Sequence, residues 1–143
     1  MLRSLTMADM PAIREINAIS LGYPVTLELT QRQFKKMSKS PEHLLIGFED
    51  DLSHQIVGYI HAEVYESLYS ESGLNILALS VLPDCQGQGI GKALILALEK
   101  QAKEQGFSFI RLNSASHREE AHAFYRKMNY NGDKTQLRFI KEL

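Results

Sequence analysis

The chain has 143 residues, 44% hydrophobic and 23% charged, with a formal net charge of -1. That size suits a single domain over residues 1–143 with its own core, and the near-neutral balance gives no electrostatic reason for a nucleic-acid or anionic-membrane partner. One cysteine excludes an internal disulfide and fits a reducing, cytoplasmic setting; no apolar run approaches 18 residues, and Asp9 and Glu15 interrupt any signal-peptide pattern.

Residues 1–5 predict a short strand. Thr6 is placed to cap a helix, with Asp9 three residues on and Pro11 in the first turn; Ala12, Ile13, Ile16 and Ile19 make its buried stripe. Leu21-Gly22-Tyr23-Pro24 breaks it, and Thr30 is expected to cap a second helix, with Phe34 and Met37 facing inward and Ser40-Pro41 ending it. Residues 44–49 and 55–65 read as an antiparallel hairpin around a polar turn. In its second strand Tyr59, His61, Glu63 and Tyr65 alternate with Ile60, Ala62 and Val64. The polar, aromatic face so formed is either a solvated sheet surface or a pocket wall carrying His61 or Glu63. Residues 66–73 are expected to form a polar loop.

Residues 75–82 then read as a short, mostly apolar strand, stopped by Pro83 and Asp84. Gln86-Gly87-Gln88-Gly89-Ile90-Gly91 makes a turn, and Ile90, Leu94, Ala97, Leu98 and Ala102 recur at helical spacing up to Gly106. Glycine backbone can approach a ligand closely and adopt positive φ. The first N–H groups of a helix lack internal partners and carry partial positive charge, a geometry that suits phosphate. The residues therefore describe either a phosphate or pyrophosphate cradle at 86–91 or a tight structural turn. A Walker loop is excluded because Gly91-Lys92-Ala93 lacks the hydroxyl for magnesium. A Rossmann turn fits poorly: the turn lies past mid-chain, and the next strand ends near Asn113 instead of an acidic residue.

Residues 107–112 predict a strand parallel to the one before the turn, reached by a right-handed crossover. Ser116-x-x-Glu119 resembles a capping box for a helix running to about residue 128, and a last strand is expected near 136–141. His117 and His122, five apart, fall on different helix faces, so no metal site is expected. Cys85 sits beside the turn without any partner that would mark it as a nucleophile.

Two blocks carry a resemblance. Leu79-Ser80-Val81-Leu82-Pro83 followed by Gln86-x-x-Gly89-x-Gly91 resembles the acyl-CoA motif of the GNAT family of N-acetyltransferases, and Ala121-x-x-Phe124-Tyr125 resembles that family's later segment, in the same order and spacing. The likeness implies a mixed α/β (α+β) fold, a mostly antiparallel twisted sheet with helices on both faces. It implies acetyl-CoA as acyl donor, transferred directly in a ternary complex to a primary amine of a small molecule or peptide. By the same likeness Leu79, Ser80 and Val81 lie along the pantetheine arm, with the Val81 N–H as donor to the thioester oxygen. Gln86, Gly87, Gln88, Gly89, Ile90 and Gly91 meet the diphosphate, Lys92 and Lys100 either join them or line a solvated helix face, and Tyr125 is the general acid. The second helix and the loop before it help wall the acceptor site, which makes Tyr23 either a substrate contact or a packing residue.

The chain departs from the family pattern at two positions. Asn75 stands where relatives often carry a glutamate base, so either another group acts through water, with Glu63, His61 and Glu71 as candidates, or the amine arrives already deprotonated. Arg118 stands where many carry asparagine, so that Arg118 and His117 are either ligand contacts or helix-start surface residues. Relatives usually end in two strands; this tail is short for two, so its last strand is minimal, missing or supplied by a partner in a homodimer. Glu28, Glu66 and Glu71 faintly favour a cationic acceptor. The rival readings are a non-catalytic acyl-CoA-binding regulatory module, kept alive by Asn75, and a nucleotide-binding domain.

Overall fold

Five strands in chain order make one sheet: β1 (Leu2–Ser4), β2 (His43–Glu49), β3 (Ile56–Ser67), β4 (Ser70–Val81) and β5 (Ile110–Leu112). The first three junctions are antiparallel and the β4–β5 junction is parallel. Helix α1 (Met10–Ile16) and helix α2 (Leu27–Met37) precede β2, while α3 (Ile90–Glu104) crosses from β4 to β5. The computed structural model describes all 143 residues, in two compact units, 1–112 and 113–143. The second unit holds helix α4 (Glu119–Lys127).

Alternation along β3 sorts the helices onto two faces. Gly58 lies beside Val81 and Ile90; a Cβ there would meet Val81 Cγ2 at 3.1 Å and Ile90 Cγ2 at 3.2 Å, so α3 covers this side. Tyr59 points to the other side, into a buried cluster with Met10, Ile13, Ile16 and Phe34 from the α1 and α2 layer. Helix α3 buries Ile90, Leu94, Ile95, Leu98 and Ala102, the stripe its 3.6-residue period dictates. At the sheet's β1 end, Arg3 bridges Asp9 (2.8 Å to each oxygen) and Glu49 (2.7 Å). The guanidinium holds both carboxyls below the usual carboxylate range. Asp9 Oδ2 also accepts the Thr6 amide at 2.7 Å, which fixes the entry to α1.

Several local expectations are corrected. The cap of α2 is Thr26, not Thr30: Thr26 has the extended backbone a cap requires, and its hydroxyl accepts the Leu29 amide at 3.2 Å. Thr30 lies one turn inside and bonds back to the Thr26 carbonyl. The polar loop expected at 66–73 is mostly strand, because Tyr65 pairs with Gly73 and Ser67 with Ser70. Gly73 carries no side chain because the Phe109 ring occupies that space, 2.5 Å from where a Cβ would stand. The cap of α4 is Arg118, without a side-chain cap bond, so Ser116 does not form the expected capping box. The last strand expected at 136–141 is the missing alternative: residues 130–143 have no regular structure.

Candidate active site

The turn predicted from the glycines is built as its chemistry requires. After β4 a short 3-10 turn (Pro83–Cys85) leads to Gln86, and Gly87 and Gly89 both adopt φ +79°. A side chain would be strained at either position, yet neither lacks room: nothing lies within 4 Å of their would-be Cβ atoms. Gly89 caps α3, and only the Ala93 amide returns to its carbonyl, at 3.0 Å. No backbone acceptor meets hydrogen-bond geometry at the amides of Gly87 through Lys92. Gln86, Gly87, Gln88 and Gly89 are exposed, as is Lys92; Gly91 is half-buried and Ile90 is buried under the sheet. The result is a run of free N–H groups at the N-terminus of a 15-residue helix, shaped for an anion.

Beside this turn, β4 presents an open edge. Strand β5 pairs only with Leu74, Asn75 and Ile76, so from Leu77 onward β4 has no strand on that side. Leu77 is also the extra residue of a β-bulge, since Ala62 pairs with Ile76 and His61 with Ala78. The Leu82 amide reaches the Val57 carbonyl on β3 at 2.8 Å. Peptide groups alternate along a strand, so those of Val81 and Leu79 turn away from β3, toward the open edge. The Val81 carbonyl there accepts Ser20 Oγ and Gln86 Nε2, each at 3.1 Å. The Gln86 side chain thus ties the turn to the strand end. Ser80 differs from its neighbours: its peptide groups face β3, and its hydroxyl is buried without a partner.

The polar face of β3 is not a solvated surface. Tyr59 and His61 are buried, and Glu63 and Tyr65 are half-buried. Glu63, Asn75 and Arg111 stand side by side across three strands. Asn75 Nδ2 donates to Glu63 Oε2 at 2.9 Å, and Arg111 Nη1 donates to Asn75 Oδ1 at 2.7 Å. Arg111 also lies 4.7 Å above the Tyr65 ring. Asn75, the departure from the family pattern, is therefore held at both ends of its amide, with its donor aimed at Glu63. One pairing away, His43 Nδ1 and His61 Nε2 are 2.9 Å apart. Burial, then the neighbouring His43, push His61 down to about 4 against the opposing pull of Glu63, so its imidazole is neutral at pH 7. Tyr59 donates a short hydrogen bond to Asn17 Oδ1, and burial raises its hydroxyl to about 12.

A cavity of about 190 Å³ opens between α1, α2 and this face, and His61 and Tyr59 form part of its wall. Tyr23 does not line it and is 64% exposed; Glu71 is exposed as well. Cys85 is a half-buried free thiol. In the second unit, Tyr125 sits edge-on to Phe124 and to Tyr130, with ring centroids 5.3 and 6.0 Å away. Burial raises its hydroxyl above the ordinary tyrosine range, with Arg118 pulling the other way, so it stays protonated. Arg118 and His117 are exposed at the start of α4, and the His122 ring lies 2.9 Å from the Ala115 carbonyl. No group of three or more potential metal ligands exists, and no helix is long and apolar enough to cross a membrane.

Sequence reading missed Ser20, His43, Arg111 and the cavity. Each acquires its neighbours only through pairing or packing between distant segments. The one local clue was the polar alternation of β3, which marks a face without saying what covers it.

A family model described as Acetyltransferase (GNAT) family matches residues 10–130. An aminoalkylphosphonate N-acetyltransferase from Salmonella typhimurium is 31% identical over 90 residues; the match covers 62% of this chain and 57% of that protein, less than two thirds of its length. A solved structure of a transcriptional regulator from Bacillus halodurans superposes with a TM-score of 0.87 at 23% identity, covering 99% of both chains. An aminoglycoside 6'-N-acetyltransferase from Acinetobacter haemolyticus superposes with a TM-score of 0.84 at 16% identity, over 100% of this chain and 99% of the other. At these identities the superpositions speak for the fold, a mixed five-stranded sheet flanked by helices. With most of its length covered by the family model, the chain belongs to the GNAT family of acetyltransferases.

Proposed function

We propose that this single domain transfers an acetyl group from acetyl-CoA directly to a primary amine of a small molecule. The observation that carries the reading is the continuity of the free amides at 87–92 with the open edge at Leu79 and Val81. One end suits a diphosphate and the other an extended amide-bearing arm. Acetyl-CoA supplies an acetyl group activated as a thioester. The chain supplies the rest.

The amides of Gly87 through Lys92 hold the diphosphate, with Gln86 bracing the turn through the Val81 carbonyl. The Leu79 and Val81 peptide groups bind the arm; Ser80 contributes a buried strand position between them. The Val81 N–H is aimed at the oxygen that gains negative charge, and a fixed donor of this kind is worth about 3–4 kcal/mol in comparable sites. Glu63, oriented by the Asn75 amide, takes the amine's proton through a water; Asn75 itself has no basic lone pair. Tyr125, kept protonated by burial, hands a proton to the departing sulfur, and Arg118 sits at the head of the same helix. The role of Tyr125 rests on the match of Ala121-x-x-Phe124-Tyr125 to the family segment; Arg118 lies outside that segment.

The relatives' printed activities, on aminoalkylphosphonates and aminoglycosides, support a small-molecule amine as acceptor. The test is free-thiol release from acetyl-CoA across an amine panel, for the wild type and Tyr125→Phe. Wild-type turnover on at least one amine is expected, with a loss of about 10²–10³ in kcat for the variant and an unchanged dissociation constant for acetyl-CoA. Thermal stabilisation by coenzyme A with no thiol release on any amine would replace this reading with a non-catalytic acyl-CoA-binding module.

A further inference from the structure

We infer that the cavity between α1, α2 and β3 receives an uncharged, apolar portion of the acceptor, an aromatic ring or a branched aliphatic group, while the amine itself stays at the β4 edge. This rests on the acetyl-transfer reading and adds the acceptor's chemical class. Three observations carry it.

The first is size. An apolar cavity of about 150 Å³ accepts a benzene ring, and this one measures about 190 Å³. It holds a ring with a short linker, not a whole drug-sized molecule, for which several hundred Å³ are needed. The second is chemistry. Met10, Ile13, Val25, Leu29, Phe34 and Met37 supply most of the wall on the helix side, and no Asp, Glu, Lys or Arg lines it. Its only imidazole is His61, whose neighbours with charge to offer are His43 and Glu63 on the strands; the polar groups from α2 and the turn after α1 are only the neutral Thr30, Gln33 and Asn17. Burying a cation against such a wall would cost solvation that nothing there returns. Glu28, Glu66 and Glu71, which favoured a cationic acceptor on sequence grounds, are exposed and none lines the cavity. The third is position. Tyr59 and His61 pair with Ser80 and Ala78 on the adjacent strand, about 4.8 Å away. Asn17, also in the wall, lies one turn from Ser20, which bonds the Val81 carbonyl. A ring in the cavity is thus a short linker away from the strand edge where transfer is proposed.

The experiment compares 2-phenylethylamine with 1,5-diaminopentane as acceptors, and titrates 2-phenylethanol, which keeps the ring and lacks the amine, into protein with ¹³C-labelled methionine methyls. A preference of about 10- to 100-fold in kcat/KM for the phenyl amine is expected. The alcohol should compete with it and shift the Met10 and Met37 methyl signals. Val25→Trp should raise KM for the phenyl amine and abolish the methyl shifts. Met37→Ala, which enlarges the cavity instead of filling it, should move the preference toward 2-(1-naphthyl)ethylamine. Equal or better turnover of the diamine overturns the inference while leaving acetyl transfer standing. If neither amine is acetylated but the alcohol shifts the methyls, the cavity assignment stands and the transfer reading falls. Unmoved methyls overturn the cavity assignment whatever the turnover.

Discussion

The glycine turn and the polar face of the sheet are made in opposite ways. From Gly87 to Lys92 the working groups are backbone amides, displayed by two positive φ angles and a helix start. Their side chains are almost irrelevant, and the information is contiguous in the chain. The face that carries His43, His61, Glu63, Asn75 and Arg111 works through side chains from four strands, brought together by register alone. A one-residue slip of β3 would send His61 and Glu63 to the α3 side and leave the turn intact. The first region is fragile to local backbone conformation and tolerant of side-chain loss; the second depends on each of its side chains and on the register that gathers them.

The largest effect that would expose this contrast concerns His61. Its buried imidazole falls from 6.5 to about 4 on folding, a difference of roughly 3 kcal/mol. The sign follows from linkage. Above pH 6.5 both folded and unfolded states are neutral and nothing is lost. As pH drops through 6.5 the unfolded chain takes up a proton that the folded chain refuses, so stability declines until pH is near 4 and then levels off for this group. The Asp9 and Glu49 carboxyls, lowered by Arg3, begin to lose their stabilisation as pH enters the usual carboxylate range, below the upper part of the His61 limb. Denaturant melts at closely spaced pH values should show that upper part in the wild type and a flat line between pH 6.5 and about 5 for His61→Gln. A limb that survives the substitution would mean that another group titrates there.

Next in size is Gly89→Val, which forces a β-branched residue into φ +79° at the cap of α3. The left-handed conformation costs roughly 1–2 kcal/mol, and the chain can escape only by re-aiming the amides. Coenzyme A affinity by calorimetry should fall about 10- to 30-fold, with a drop of only a few degrees in melting temperature, from backbone strain alone since nothing packs on the position. Unchanged affinity would show that the free amides are not the anion site.

What could be read from the sequence divides along the same line. The hairpin of residues 44–49 and 55–65, the α3 stripe and the turn were legible because each is written in neighbouring residues: the polar turn between two apolar runs, Ile90 to Ala102, and Pro83-Asp84 with the three glycines. The covering of Tyr59 and His61 was not, since their alternation is equally consistent with water on that face. The cap of α2 was misplaced by four residues because Thr26 and Thr30 are chemically alike and only the extended backbone at Thr26 decides between them. At the end of the chain the sequence left a minimal, missing or partner-supplied strand open; Leu137, Phe139 and Ile140 have strand propensity, yet they form no strand and remain exposed. The departure at Asn75 was visible at once; its bond to Glu63 needed the β3–β4 register, including the bulge at Leu77, to be known.

Asn75→Leu tests the register-made side directly. It removes the donor to Glu63 and the acceptor for Arg111 while keeping the forked shape of the side chain. Turnover should drop about tenfold, the worth of one hydrogen bond to a charged group at the low end, about 1.5 kcal/mol, and acetyl-CoA affinity should hold. Asn75→Asp should recover part of the turnover, because a carboxylate still receives Arg111 and can itself take a proton. A loss of coenzyme affinity in Asn75→Leu would tie the two regions together and end the contrast.

The smallest expected effect is at Gln88, in the middle of the turn. Its side chain is exposed and makes no hydrogen bond, so Gln88→Ala should change coenzyme affinity by less than about twofold. Gln86→Ala should do more, since its amide braces the Val81 carbonyl. The order matters more than either value. If Gln88 mattered and Gln86 did not, the turn would be gripping its ligand with side chains after all, and the glycines at 87 and 89 would be there for the fold alone.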